Sequence, residues 1–176
     1  MKILVTGANG FIGKNLIATL KELKKYEVIA IDKENSKEEL ENALLEAEFI
    51  FHLAGVNRPK DEKEFFQGNS GLTEEIVMFL KENNKKTPIL ITSSIQAELD
   101  NAYGKSKKLS EETLLMYGAS SKAKVFIYRL PNVFGKWCRP NYNSAVATFC
   151  NNIAKGEEIW VSDPNIELTL VYIDDV

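Results

Sequence analysis

Lys2-Ile3-Leu4-Val5-Thr6-Gly7-Ala8-Asn9-Gly10-Phe11-Ile12-Gly13 puts an apolar run, a GxxGxxG turn and the start of a helix into the first 13 residues. Ile3 to Val5 is a short apolar run ending at a glycine, which predicts a buried strand over Lys2–Thr6. Phe11, Ile12, Leu16, Ile17, Leu20 and Leu23 then recur at helical spacing over Phe11–Lys25. Each glycine between the two has a separate task. Gly7 permits the tight turn, Gly10 lets the backbone approach a pyrophosphate, and Gly13 lets the helix pack close to the sheet. The helix N-terminus adds free N–H groups and a partial positive charge. Three glycines alone are a weak signal, and the strand before and helix after them supply the specificity. Asn9, Phe11 and Ile12 complete the turn expected to hold a dinucleotide.

Working outward, the same alternation continues. Glu27–Ile31 reads as a second strand closed by Asp32, 19 positions after Gly13. A carboxylate there can accept hydrogen bonds from a ribose diol, favouring NAD(H), whereas the adjacent Lys33 can pair with a 2′-phosphate. Ser36-Lys37-Glu38-Glu39 is a capping box ahead of Leu40, Leu44 and Leu45. Phe49–Leu53 reads as a third strand, with Leu53-Ala54-Gly55 small enough at its end for close passage of a cofactor. Asn57–Ser70 reads as a loop with a helical turn. A helix over Leu72–Asn83, a strand over Pro88–Thr92, a helix over Tyr103–Tyr117 and a strand over Lys124–Arg129 follow. Alternating strands and helices with near-continuous apolar strands predict an α/β fold, a Rossmann-like doubly wound parallel sheet over residues 1–130. Beyond Pro131 the rhythm changes to a Gly/Pro/Asn-rich stretch. A helix over Ser144–Lys155 and short strands near Ile159–Val161 and Leu168–Ile173 are expected next, so 131–176 reads as the start of a small substrate-binding part.

Composition narrows the chemistry. The chain has 176 residues, 22 Lys plus Arg against 25 Asp plus Glu, and a net charge of −3. That balance gives no reason to expect nucleic-acid or membrane binding. One histidine, His52, cannot build a multi-His metal site, and Cys138 and Cys150 form no CxxC pair. No metal is therefore expected. The two cysteines read as reduced thiols of a cytoplasmic protein, and His52 as a structural strand residue.

Among the six tyrosines only Tyr103 has a lysine four residues on, Lys107. On a helix the pair shares one face. The ammonium is expected to favour the phenolate and so lower the Tyr103 pKa towards the range of general acid–base chemistry. Ser94, at the end of the fourth strand, is placed to hydrogen-bond a substrate oxygen beside Tyr103. Strand-end capping is its competing structural account. In a parallel sheet ligands bind outside the carboxyl ends of strands, where the glycine turn, Asp32, Gly55 and Ser94 all fall.

Together the GxxGxxG turn, the strand-end Ser94 and the Tyr103/Lys107 pair resemble the extended short-chain dehydrogenase/reductase family of nucleotide-sugar enzymes. Arg129-Leu130-Pro131-Asn132-Val133-Phe134-Gly135 resembles that family's RxxNVYG segment, and Tyr172-Ile173-Asp174-Asp175-Val176 its (Y/H)VDDV segment. Ala54-Gly55-Val56-Asn57-Arg58-Pro59, with Phe134–Ser144 and Ala147-Thr148-Phe149-Cys150, is similar to the CapF-type capsular polysaccharide proteins.

The resemblance implies reduction by NADPH of the C4 ketone of a UDP-2-acetamido-2,6-dideoxy-hexos-4-ulose, on the route to UDP-N-acetyl-L-fucosamine. It makes Tyr103 the acid, with Lys107 and Ser94 beside it. Asn57, Arg58, Asn132, Lys136, Asn141 and Asn143 would meet a UDP-sugar, and Pro131 the cofactor. NADP(H) is implied by the resemblance, while NAD(H) remains open from Asp32. The resemblance also implies a homodimer, and a reductase region that continues past Val176 before a cupin domain. The chain is thus expected to be a fragment with an incomplete sugar site. A 4-epimerase of the same fold and a non-catalytic dinucleotide-binding module are the alternatives. A dehydratase needs an extra acid and base, which the resemblance places as an Asp-Glu pair after the strand-end Ser/Thr, where this chain has Ile95-Gln96.

Overall fold

Five parallel strands carry the molecule in a computed structural model that describes residues 1–176. They are β1 (Lys2–Thr6), β2 (Glu27–Ile31), β3 (Phe49–His52), β4 (Ile89–Ser94) and β5 (Val125–Leu130). Their order across the sheet is β2-β1-β3-β4-β5. The chain leaves β1 to one side for β2, then crosses back to lay β3 on the other side. This reversal opens a crevice at the carboxyl ends of β1 and β3, the place where doubly wound sheets bind ligands.

The helices follow the local signals. Helix α1 (Phe11–Glu22) starts directly from the glycine turn, and α2 (Lys37–Glu46) carries the complete capping box. The Glu39 amide donates to the Ser36 hydroxyl at 3.2 Å, and the Ser36 amide donates to the Glu39 carboxylate at 2.6 Å. A short α3 (Lys63–Phe65) runs through a π-turn (Phe66–Gly71) into α4 (Leu72–Glu82). The expected loop over 57–70 therefore ends in a continuous helical entry to α4. Helix α5 (Ala102–Ser121) is longer at both ends than its apolar spacing predicts, because Asn101 caps it and Lys122 adopts a left-handed conformation at its end.

Alternation along β1 sorts the core. Leu4 points to one face with Ile50, Ile89 and Ile91, under Leu44 of α2, Ile76 and Leu80 of α4, and Leu114 and Tyr117 of α5. Ile3 and Val5 point to the other face, under Leu20 of α1. All six residues of β4 are buried, as its place inside the sheet requires.

After β5 a second, two-stranded parallel sheet joins β6 (Asn132–Phe134) to β7 (Leu170–Tyr172), with α6 (Ala145–Lys155) between them. Residues 159–161 correct one expectation: they form no strand. Ile159, Trp160 and Val161 are exposed and have no ladder partner, so apolar character there is not matched by a neighbouring backbone. The other expected strand shrinks to β7, because Ile173–Asp175 closes into a 3₁₀ turn. Asn15 of α1 donates to the Lys136 carbonyl at 2.9 Å and so ties the two parts together. Cys138 and Cys150 are both free thiols. No helix is long and apolar enough to cross a membrane.

Candidate active site

The crevice beyond β1 and β3 is a cleft of about 1300 Å³. That exceeds the usual small-ligand pocket of about 300–1,000 Å³ and leaves room for two ligands side by side. At one end lies the glycine turn. Gly7 has φ +69°, and a Cβ there would sit 2.7 Å from the Ala54 amide nitrogen, so only glycine fits. A Cβ on Gly13 would press on the carbonyl of Gly7 and sit 3.0 Å from the Ala8 Cα, which is how α1 starts so close to the sheet. Gly10 caps α1 without a side-chain bond, and the amides of Phe11, Ile12 and Gly13 find no backbone acceptor. Three free donors at a helix N-terminus fit the pyrophosphate of a dinucleotide.

Asp32 stands beside this turn. One carboxylate oxygen accepts from the Asn9 amide at 2.7 Å and the other from the Lys33 amide at 2.8 Å. The carboxylate is thereby held in one orientation, with lone pairs left for a ribose diol. Lys33 and Lys14 line the same end of the cleft, and Lys33 is held only by a loose 3.9 Å contact with Glu34.

The other end holds the proton-handling residues. Ser94 closes β4, and its hydroxyl accepts from the Gln96 amide at 3.1 Å, starting the 3₁₀ turn Ile95–Glu98. The capping account of Ser94 is therefore real. It leaves the hydroxyl proton free, and Tyr103 lines the same cleft close enough to feel this hydroxyl. Tyr103 sits in the first turn of α5, which packs directly on the 3₁₀ turn. A Cβ on Gly104 would lie 2.7 Å from the Leu99 carbonyl oxygen and closer still to that of Gln96.

The electrostatics reverse one expectation. The Tyr103 pKa is raised, not lowered. Burial is the main cause, Tyr142 adds to it, and the nearby Ser94 hydroxyl opposes it. Lys107 does not pull the phenol down, because its ammonium turns into the sheet and donates to the Thr92 carbonyl at 2.9 Å. Burial lowers the Lys107 pKa to about 8, against the upward pull of Glu111. Near pH 7 the site thus holds a neutral phenol and a charged lysine.

Several supporting residues escaped the reading of the sequence. Asn69, buried in the π-turn, accepts from the Val56 amide at 2.9 Å and donates to the Val56 carbonyl and to Ser106. It thereby pins the β3 loop against α5 beside Gly55. Glu111 is buried, accepts from Ser93, and takes two nitrogens of Arg129. Extending the Tyr103/Lys107 spacing by four more residues would have found it.

His52 is buried between Thr6 at 2.8 Å and Thr73 at 3.0 Å, neutral, with burial lowering its pKa to about 3. Of the remaining expected residues, Leu53, Ala54, Gly55, Asn57, Arg58, Pro131, Asn132 and Asn143 line the cleft. Lys136 and Asn141 do not. Lys136 pairs with Asp174 at 3.0 Å, and the Asn141 backbone N–H donates to the Thr148 hydroxyl at 2.9 Å.

A parallel sheet of this order, with a glycine turn at its switch point and a tyrosine and lysine on the facing helix, defines a dinucleotide-binding α/β domain. The chain belongs to the NAD dependent epimerase/dehydratase family, whose model matches residues 3–176. It is 53% identical over 176 residues to the UDP-2-acetamido-2,6-beta-L-arabino-hexul-4-ose reductase of Pseudomonas aeruginosa, covering all of this chain and 47% of that protein. Among solved structures it is similar to the capsular polysaccharide assembling protein CapF of Staphylococcus aureus. There the identity is 52% and the TM-score 0.89, over 99% of this chain and 47% of that one. The UDP-glucuronic acid 4-epimerase of Bacillus cereus, solved with UDP-glucuronic acid and NAD, shares the fold at 19% identity. Its TM-score is 0.87, over 99% of this chain and 70% of that one. The chain spans about half the length of the reductase and of CapF.

Proposed function

We propose that this chain carries the reductase chemistry of an enzyme that converts a UDP-2-acetamido-2,6-dideoxy-hexos-4-ulose to its C4 alcohol, in the synthesis of a capsular or surface polysaccharide precursor. The observation that carries the reading is Tyr103, held as a neutral phenol beside Ser94 in the cleft that the glycine turn also faces. A ketone reduction needs a proton donor, so a raised pKa serves it better than a phenolate would. The 53% identity to a reductase named for such a substrate supports the same assignment.

The glycine turn and Asp32 would hold a reduced nicotinamide dinucleotide by its pyrophosphate and adenosine, and that cofactor would supply the hydride. Tyr103 gives its proton to the sugar O4. Ser94, its hydroxyl proton free, donates a hydrogen bond to the oxygen as negative charge develops there. Lys107, cationic near pH 7 and with its ammonium beside Gly55, would hold a ribose hydroxyl at the nicotinamide end of the cofactor. Asp32 and the free amides of Phe11, Ile12 and Gly13 orient the adenosine end. Lys14 and Lys33 supply positive charge for a 2′-phosphate, so NADPH is the cofactor we assign. The enzyme is read as a cytoplasmic homodimer, for which the exposed Met78 of α4 and Leu115 and Met116 of α5 offer an apolar face.

The test is a titration of the full chain with NADPH and the keto-sugar nucleotide, followed by product analysis. Net reduction consumes NADPH stoichiometrically, whereas a 4-epimerase regenerates its cofactor. Tyr103→Phe should abolish reduction and keep NADPH binding. Retained turnover in that variant would reject the assignment.

A further inference from the structure

The chain has three arginines: Arg58, Arg129 and Arg139. Arg129 is fully matched by Glu111 and Glu98. The other two are matched by nothing acidic: no ion pair in the molecule takes in either one. Instead both gather on one aromatic ring. The Arg58 guanidinium carbon lies 5.8 Å from the centre of the Tyr142 ring, and that of Arg139 lies 5.6 Å from it. Arg58 comes from the loop after β3, and Arg139 and Tyr142 come from the loop between β6 and α6. All three line the cleft that holds Ser94, Tyr103 and Lys107.

Two like charges around one ring, without a counter-ion, repel each other and attract an anion. Stacking on Tyr142 offsets part of that repulsion and limits the rotamers of both arginines. The backbone on either side of the ring is anchored. The neighbouring Asn141 amide bonds to Thr148, and the buried Ser144 caps α6 by accepting from the Ala147 amide at 3.2 Å. The pair is thus preorganised, which lowers the ordering cost of binding. Planar guanidinium forks match phosphate oxygens in particular.

We propose that Arg58, Arg139 and Tyr142 form a clamp for the diphosphate of the sugar nucleotide. A diphosphate presents two negatively charged phosphoryl groups, one for each guanidinium. A dinucleotide cofactor also carries a diphosphate, but the free amides at the start of α1 already provide for that one. The assignment rests on reading the cleft as a sugar-nucleotide site.

Calorimetric titration of the full chain with UDP, UMP and NADPH tests the clamp. The parent protein should bind UDP more tightly than UMP. Arg58→Ala and Arg139→Ala should each weaken UDP about 10-fold, erase its advantage over UMP and leave NADPH binding unchanged. Tyr142→Phe should keep UDP affinity and Tyr142→Leu should lose part of it, since only the former retains the ring face. Equal binding of UDP and UMP by the parent overturns the proposal. So does unchanged UDP affinity in the arginine variants, or an equal loss of NADPH affinity, which would give the pair to the cofactor. Arginine-dependent UDP binding without ketone reduction would sink the reductase reading alone. Normal reduction with unaltered UDP binding in the variants would sink the clamp alone.

Discussion

Replacing Gly104 by alanine sets two opposed effects against each other, and their sizes decide the outcome. Within a helix, alanine is favoured over glycine by about 1 kcal/mol. At this position, however, the new methyl would lie 2.7 Å from the Leu99 carbonyl oxygen and closer still to that of Gln96. A relaxed contact between carbon and a carbonyl oxygen is about 3.3 Å or longer. Both obstacles are backbone, so neither can swing aside. The start of α5 must therefore retreat by about 1 Å from the 3₁₀ turn.

Overpacking of this kind costs roughly 1–3 kcal/mol, which exceeds the gain in helix propensity. A net loss of about 1 kcal/mol lowers the melting temperature of a chain this size by roughly 2–4 °C. Catalysis should suffer more. The retreat carries Tyr103 away from the position set by Ser94, and a 1 Å misplacement costs on the order of 10²-fold in rate. Thermal melting, together with single-turnover loss of NADPH absorbance, measures both effects. NADPH affinity should hold, because the glycine turn lies at the other end of the cleft. A variant that melts at or above the parent temperature with an unchanged rate would refute the reasoning.

Three more outcomes follow from the charges of the site. Turnover should fall as pH rises through about 8, where the buried Lys107 loses its proton. Glu111→Gln removes the charge that holds that pKa up, so the alkaline limb of the pH–rate profile should move to lower pH; a limb that stays in place would contradict the coupling. His52 titrates at about 3 when folded, below its ordinary 6.5. The unfolded chain therefore binds more protons below pH 6.5, and the stability His52 contributes at neutral pH is lost as pH falls towards 3. Between pH 7 and 5 this amounts to about 2 kcal/mol. Denaturant unfolding at both pH values should show that extra loss in the parent and not in His52→Gln, and parallel slopes would rule it out. Arg129→Ala leaves the Glu111 carboxylate buried without its cation. The loss should be smaller than for a wholly buried pair, because the Arg129 side chain is 37% exposed to water. Chemical denaturation measures it, and a stability equal to the parent's would show that water already reaches Glu111.

Much of the molecule was legible in the chain because its signals are short. A strand, three glycines and a helix span 21 residues, and each glycine is required by a contact made within that span or across one strand. The capping box joins Ser36 to Glu39, three positions apart, and Tyr103, Lys107 and Glu111 share a helical face by spacing alone. Such features depend on backbone geometry that a few neighbouring residues set. Apolar character was a poorer guide at 159–161, where no neighbouring strand accepts the ladder.

The electrostatic state of the site was not encoded locally. Spacing placed Lys107 next to Tyr103 and so predicted a lowered phenol pKa, but desolvation raises it, and desolvation depends on which distant segments cover the ring. Lys107 is drawn to Thr92, 15 positions away, and Asn69 meets Ser106 across 37 positions. Arg58 and Arg139 meet at Tyr142 only because the crossover from β1 to β3 and the fold-back after β5 bring two loops to one cleft. Local sequence chose the elements and most of the reactive groups. Tertiary packing set their charge and their partners, because burial and long-range pairing are properties of the assembled fold.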